Sequence, residues 1–330
     1  MKVAIIGDGG WGTALALGLH ANGHSVRVWG PFADSLERVR LTHENERFLP
    51  GVKLPEALTW TVDRAEAAEA AEAVVLAVPT RYFRDVMTSF AGLIPPDALC
   101  VSVAKGFDPA TLERMTVVAE TTLGHAPVAA LSGPSHAEEV ARGIPTAVVI
   151  ACADLARAER LQRLFSHGRL RCYTSNDVAG VELGGALKNV IALAVGASDG
   201  LGFGANTRAA LITRGLAEIT RIGVALGAQP ATFAGLSGIG DLVVTCTSRL
   251  SRNFRVGERL GKGERLDDIL DGMSQVAEGV TTSRSALALA RQAGVSAPII
   301  EAVCGVLYDG ISPSTAVESL MTRGLRQEKG

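Results

Sequence analysis

What the chain lacks narrows its chemistry first. Its five cysteines, Cys100, Cys152, Cys172, Cys246 and Cys304, are odd in number and show no Cys-x-x-Cys spacing. That pattern argues against a disulfide framework and fits reduced thiols in the cytoplasm. No metal site is expected. Neither sign of charge dominates: 32 Lys and Arg face 34 Asp and Glu, a net charge of −2. A nucleic-acid partner or an anionic membrane surface would call for a basic face, so neither is expected. No stretch is read as the roughly 20 apolar residues that span a bilayer. The N-terminus, a core strand interrupted by Asp8, is not a signal peptide.

What is present is glycine placed with purpose. Val3-Ala4-Ile5-Ile6 runs into Gly7-Asp8-Gly9-Gly10-Trp11-Gly12, followed by an Ala/Leu-rich segment over 13–21. This is the strand, turn and helix context that a dinucleotide-binding G-x-G-x-x-G requires. Gly7 permits the tight turn, Gly9 lets backbone approach a pyrophosphate, and Gly12 lets helix and strand pack closely. The helix N-terminus offers N–H groups and partial positive charge to the phosphates. A purely structural glycine turn is the alternative, and the flanking strand and helix disfavour it.

The acidic residue that usually ends the second strand and holds the adenine ribose of NAD is missing. Strand 25–29 ends in Gly30-Pro31-Phe32, and Asp34 reads as the N-cap of a helix over 35–41. No Lys or Arg replaces it, so spacing does not decide between NAD and NADP, and the missing carboxylate removes the feature that would repel a 2′-phosphate.

With 330 residues and 47% hydrophobic side chains, the chain has material for two cores. Unalternated apolar runs at 73–78, 98–103, 128–131, 146–151 and 170–173 alternate with helical segments, which predicts parallel strands covered on both faces. Strand signals then stop. Thr207 with Gly227, Thr281 and Thr282 with Gly294, and Ser312-Pro313 with Gly324 bracket helices. The expectation is an α/β doubly wound Rossmann-like domain over 1–175 and an all-α domain over 176–330. A charged tail over 326–330 is expected to fray.

Four constellations carry possible chemistry. In Glu182-Leu-Gly-Gly-Ala-Leu-Lys188-Asn189-Val190, Lys188 follows Gly184 and Gly185 by one turn, so its neighbours on that helix face have no side chains. Two helical glycines cost about 1 kcal/mol each relative to alanine. Either the helix packs closely against the sheet while Lys188 snorkels to water, or a ligand approaches beneath a lysine base. Gly238-Ile-Gly240-Asp241 precedes Ser251-Arg252-Asn253, which can surround a phosphate or simply cap a helix. In Ser132-Gly133-Pro134-Ser135-His136-Ala137-Glu138, Ser135 and Glu138 match a capping box, whose helix end is also an anion site. Lys105 closes a predicted strand, where open α/β sheets bind ligands or where a lone lysine is simply solvated.

These stretches, in this order, resemble the bacterial NAD(P)-dependent glycerol-3-phosphate dehydrogenases over nearly the whole chain. Further matches are Asp199-Gly-Leu-Gly-Phe-Gly-Ala-Asn, Ala210-Leu-Ile-Thr-Arg-Gly-Leu-Ala-Glu and Val276-Ala-Glu-Gly-Val. The resemblance implies a Rossmann-like domain with a helical domain of the 6-phosphogluconate dehydrogenase C-terminal type. It implies interconversion of sn-glycerol 3-phosphate and dihydroxyacetone phosphate for phospholipid synthesis, with NAD or NADP as coenzyme and NADPH usable. By motif, Lys188 resembles the proton acceptor, with Asp241 beside it. Lys105, Gly133, Ser135, Lys188, Asp241, Ser251, Arg252 and Asn253 would contact substrate. Gly7, Gly9, Gly10, Trp11, Gly12, Pro31, Lys105, Ala137, Arg252, Val276 and Glu278 would contact coenzyme. Pro31 departs from the family, where a His or other polar residue is common. A homodimer is expected. Two alternatives remain at this level: a related 6-phosphogluconate or 3-hydroxy-acid dehydrogenase, and a dinucleotide-binding redox sensor without catalysis.

A lysine at its ordinary pKa of about 10.4 is a good acid and a poor base. Lys105 and an oxidised nicotinamide would favour the neutral amine; Asp241 would oppose it. Asp241 is therefore expected mainly to orient Lys188 and the substrate hydroxyls.

Overall fold

The computed structural model describes residues 1–125, 127–273, 275–325 and 327–328. Most of the tail expected to fray, including Arg326, lies outside them. The chain divides into two compact units, Met1–Val178 and Ala179–Gly330.

The first unit is built on one eight-stranded sheet. Its strands are β1 (Lys2–Ile6), β2 (Ser25–Trp29), β3 (Thr59–Thr61), β4 (Ala73–Leu76), β5 (Leu99–Ser102), β6 (Ala129–Ser132), β7 (Thr146–Ala151) and β8 (Leu170–Ser175). They lie in the order β3-β2-β1-β4-β5-β6-β7-β8. The chain leaves β1 in one direction for β2 and β3, then crosses back to β4 on the other side. That reversal is the switch point at which doubly wound sheets bind ligands, beyond the strands' C-terminal ends. Alternate residues of a single strand feed opposite cores. Val3 and Ile5 join Val26, Val28 and Val75 on one face, while Ala4 and Ile6 join Val74, Leu76 and Cys100 on the other. Burial on both faces is why these strands show no polar alternation.

Three sequence expectations for this unit need correction. The sheet is not wholly parallel: β6 pairs antiparallel with β7, and β7 pairs parallel with β8, so the last two strands run against the rest. Composition records burial and not direction. Asp34 does not cap its helix, which spans Ala33–Thr42 with Phe32 at the N-cap and Asp34 in the first turn. An acid there still complements the positive helix end. The Ser135 capping box is absent as well. His136 is the N-cap of Ala137–Ala141, and the Ser135 hydroxyl donates to the Gly133 carbonyl at 2.8 Å.

The second unit is helical. Its core is Val178–Gly200, a helix of 23 residues and, contrary to expectation, long and apolar enough to cross a membrane; 83% of its most apolar window is buried within the fold. It meets the Arg252–Gly261 helix through reciprocal glycines. A Cβ at Gly196 or Gly200 would fall 2.1 or 2.2 Å from the carbonyl oxygens of Phe254 and Glu258, and one at Gly257 or Gly261 would do the same to Leu193 and Ala197. The two backbones are therefore in direct contact, which fixes the second helix along the C-terminal part of the first, beyond Lys188. Other helices begin earlier than their Thr signals implied: Ala205–Ala225 is preceded by Gly204, and Glu278–Gln292 by Ala277. Ser312 does cap Pro313–Met321, accepting from the Thr315 N–H.

Candidate functional site

At the end of β1 the fold requires two of the three glycines and leaves the third open. Gly7 has φ +119°, and a Cβ there would lie 2.4 Å from the Ala77 carbonyl oxygen, so both conformation and space demand glycine. A Cβ at Gly12 would lie 2.3 Å from the Gly7 carbonyl oxygen. Gly9 differs, because nothing stands within 4 Å of a Cβ built there. The fold itself has no use for its bareness. The Gly10–Ala21 helix starts at that point with Gly9 as N-cap, no side-chain cap and no acid in its first turn. Asn45 holds the turn from behind, donating to the Asp8 carbonyl at 2.7 Å and to the Thr13 hydroxyl at 2.8 Å.

This arrangement fits a dinucleotide. The open face at Gly9 admits a pyrophosphate, and the uncapped helix end presents N–H donors to it. The Trp11 indole Nε1 is buried with no hydrogen-bond partner among the described residues. Ala137 opens a second short helix whose Cβ lies 3.8 Å from a Cβ placed at Gly10. Pro31 is exposed beyond β2. In the same unit Lys105 donates to the Gly133 carbonyl at 3.0 Å. Gly133 has φ +142° and backs onto Val148, so a side chain there would be strained. Lys105, Gly133 and Ser135 thus form one hydrogen-bonded group.

In the helical unit Lys188 does not snorkel. It is 5% exposed, and its Nζ donates to Asp241 Oδ1 at 2.5 Å and to Thr245 Oγ1 at 2.7 Å. Asp241 is 1% exposed. Neither explanation of the helical glycines was complete, since Gly184 makes room for backbone. A Cβ on it would lie 2.5 Å from the Ser237 carbonyl oxygen. Ser237 belongs to a single π-helical turn, Leu236–Gly240, that leads into the Asp241–Thr247 helix. Gly238, in the same turn, lies against the Phe233 backbone with no space for a Cβ. The turn is wedged between Gly184 and Phe233, and so delivers Asp241 to Lys188. Such turns recur at functional sites. Thr245, one helical turn after Asp241, was not singled out from sequence. Its hydroxyl also donates to the Asp241 carbonyl at 2.6 Å. Cys246 beside them is pushed up to about 12 by burial, so its thiol stays protonated.

Ser251 caps the Arg252–Gly261 helix by accepting from the Phe254 N–H. Arg252 is exposed in the first turn of this helix. The Asn253 amide is engaged internally: Nδ2 donates to Asn189 Oδ1 at 2.9 Å and Oδ1 accepts from the Gly279 N–H at 2.9 Å. It ties this helix end to the lysine helix and to the start of Glu278–Gln292. Gly279 has no space for a Cβ, which would sit 2.6 Å from the Asn189 carbonyl oxygen. Glu278 is therefore held near this junction, and Val276 is exposed ahead of it. Among the described residues no group of His, Cys, Asp and Glu is arranged for a metal.

Comparison with known proteins agrees with both halves. Family models for the N-terminus and C-terminus of NAD-dependent glycerol-3-phosphate dehydrogenase match residues 2–158 and 177–318. Glycerol-3-phosphate dehydrogenase (NAD(P)+) of Citrifermentans bemidjiense is 51% identical over 330 residues, covering 99% of this chain and 98% of that protein. The Bacillus subtilis enzyme of the same name is 48% identical, covering 99% and 96%. Among solved structures, glycerol-3-phosphate dehydrogenase from Coxiella burnetii matches with a TM-score of 0.94 and 37% identity, covering 98% of this chain and 99% of that one. The chain belongs to the NAD-dependent glycerol-3-phosphate dehydrogenase family.

Proposed function

We propose that the chain interconverts sn-glycerol 3-phosphate and dihydroxyacetone phosphate, and that Lys188 moves the proton at the C2 oxygen. The reaction and the NAD(P) coenzyme follow from the family; the residue roles are our own reading. The coenzyme, when bound, supplies or accepts the hydride at C2. The chain must then manage the proton, the phosphate and the exclusion of water. Lys188 carries this reading, because it is a buried ammonium aimed by a carboxylate and a hydroxyl. A charge is expensive to bury and survives only when paired. Asp241 favours the ammonium, the species that donates to a ketone oxygen in the reducing direction. In the oxidising direction the same side chain must release a proton first. Asp241 and Thr245 orient it in both.

For the phosphate we assign Arg252 and Ser251, since an exposed guanidinium in the first turn of a helix presents a planar fork to a dianion beside the positive helix end. Asn253 acts by positioning that helix end. Lys105, with Gly133 and Ser135, is assigned to substrate, and Lys105 also to coenzyme. The glycine turn with Gly10, Trp11 and Ala137 is assigned to coenzyme, as are Pro31, Val276 and Glu278. The 6-phosphogluconate, 3-hydroxy-acid and redox-sensor alternatives give way to the family match. Action in the cytoplasm as a homodimer without a membrane partner completes the reading, and five buried, unpaired thiols support the compartment. Lys188→Ala tests the central role. Turnover with dihydroxyacetone phosphate should fall roughly 100-fold or more, with calorimetric coenzyme affinity unchanged. Near wild-type turnover refutes it.

A further inference from the structure

The acid missing from the end of β2 has a counterpart elsewhere on the same turn. Gly30 follows β2, and a Cβ built on it would lie 2.6 Å from Asp8 Cγ and 2.8 Å from Asp8 Oδ2. The space that a side chain at the strand's end would fill is taken by the Asp8 carboxyl group, delivered from β1 between Gly7 and Gly9. We propose that Asp8 reads the adenosine ribose of the coenzyme and gives this chain a preference for NAD(H) over NADP(H). This rests on the glycine turn being the coenzyme site.

Several observations support a reading role over a structural one. The Asp8 backbone is already fixed through its carbonyl, which accepts from Asn45. Its carboxyl group takes a hydrogen bond from its own backbone N–H, and so keeps acceptor capacity for a hydroxyl pair. It is only 7% exposed, and burial pushes its pKa up, against its own N–H and the Arg47 guanidinium, which pull the other way. Arg47 lies over the rings of Phe32 and Phe48, at 5.8 and 4.9 Å from their centroids. Arg47, held on aromatic faces beside the end of β2, opposes that rise, although burial outweighs it. An ionised carboxylate in this place accepts from ribose hydroxyls and repels a 2′-phosphate dianion.

The test is calorimetric binding of NADH and NADPH to the full chain without substrate, so that turnover does not enter. Wild type should bind NADH about tenfold or more tightly than NADPH. Asp8→Ala and Asp8→Asn should each shift that ratio toward NADPH by about tenfold or more. An unchanged ratio in variants that still bind overturns the proposal. Should the variants fail to fold, wild type alone decides through ADP-ribose and its 2′-phosphorylated form: equal affinities overturn the proposal, and weaker binding of the phosphorylated form supports it. If wild type binds none of these four, the coenzyme site itself has been misplaced and the proposal falls with it.

Discussion

Adding one methyl group at Gly9 or at Gly12 separates binding from folding. Gly9 has φ −64° and ψ 170°, ordinary for any residue, and a Cβ there meets nothing within 4 Å. In Gly9→Ala, reduced freedom of the unfolded chain stabilises by about 0.4–1 kcal/mol. Placing alanine at an N-cap costs a comparable amount, so stability should stay within about 1 kcal/mol of wild type. Gly12→Ala instead drives a Cβ to 2.3 Å from the Gly7 carbonyl oxygen and 3.3 Å from Ala77 and Ile5. The helix must move off β1, and overpacking of this kind costs about 1–3 kcal/mol or more. Coenzyme affinity should fall in both, but for Gly9→Ala only because the methyl group stands where the pyrophosphate approaches. A loss of roughly tenfold or more is expected. Urea denaturation gives the stabilities and NADH calorimetry the affinities. A Gly9→Ala protein with wild-type stability and wild-type NADH affinity would refute the assignment of Gly9 to the pyrophosphate.

Three further outcomes can be checked. Asp241→Asn leaves the buried Lys188 ammonium without its anion, so it should destabilise the chain by about 3–5 kcal/mol and lower turnover at least tenfold; unchanged denaturation midpoints would contradict this. Arg252→Ala should lower kcat/KM for dihydroxyacetone phosphate by about 2–4 kcal/mol while scarcely affecting dihydroxyacetone, and equal losses on both ketones would remove Arg252 from the phosphate. Buried Glu218, whose carboxylate accepts from the Ile299 and Ile300 N–H groups, is raised from 4.5 to about 7, chiefly by burial. Between those values the folded chain holds a proton that the unfolded chain has lost. The stabilisation is full below pH 4.5 and is lost as pH rises toward 7, by up to roughly 3 kcal/mol. Glu218→Gln should flatten that slope in urea denaturation at successive pH values, and identical slopes would refute it.

The sequence made the glycine turn legible because each glycine answers a local need: a positive φ, an open face, a close helix. The apolar strands were legible through their burial on both faces. β3 was not, since Thr59–Thr61 is three residues long and carries no apolar run. Strand direction at β7 and the Ser135 hydroxyl's choice of the Gly133 carbonyl depend on how the chain returns, which no local pattern records. The same limit applied at Lys188. Spacing showed a bare helix face, but only the fold shows that the Ser237 carbonyl fills it and that Asp241 and Thr245 arrive with it. Asp8 and Asn45 act through partners more than 20 residues away, and their roles were invisible until those partners were placed.

The central claim is met most directly by following the ultraviolet absorbance of reduced coenzyme with dihydroxyacetone phosphate, for wild type and Lys188→Ala side by side. The account predicts rapid, ketone-dependent oxidation by wild type that yields sn-glycerol 3-phosphate, and a variant that binds coenzyme normally yet turns over roughly 100-fold more slowly or worse. Oxidation that does not depend on the ketone, or a variant as fast as wild type, would contradict it.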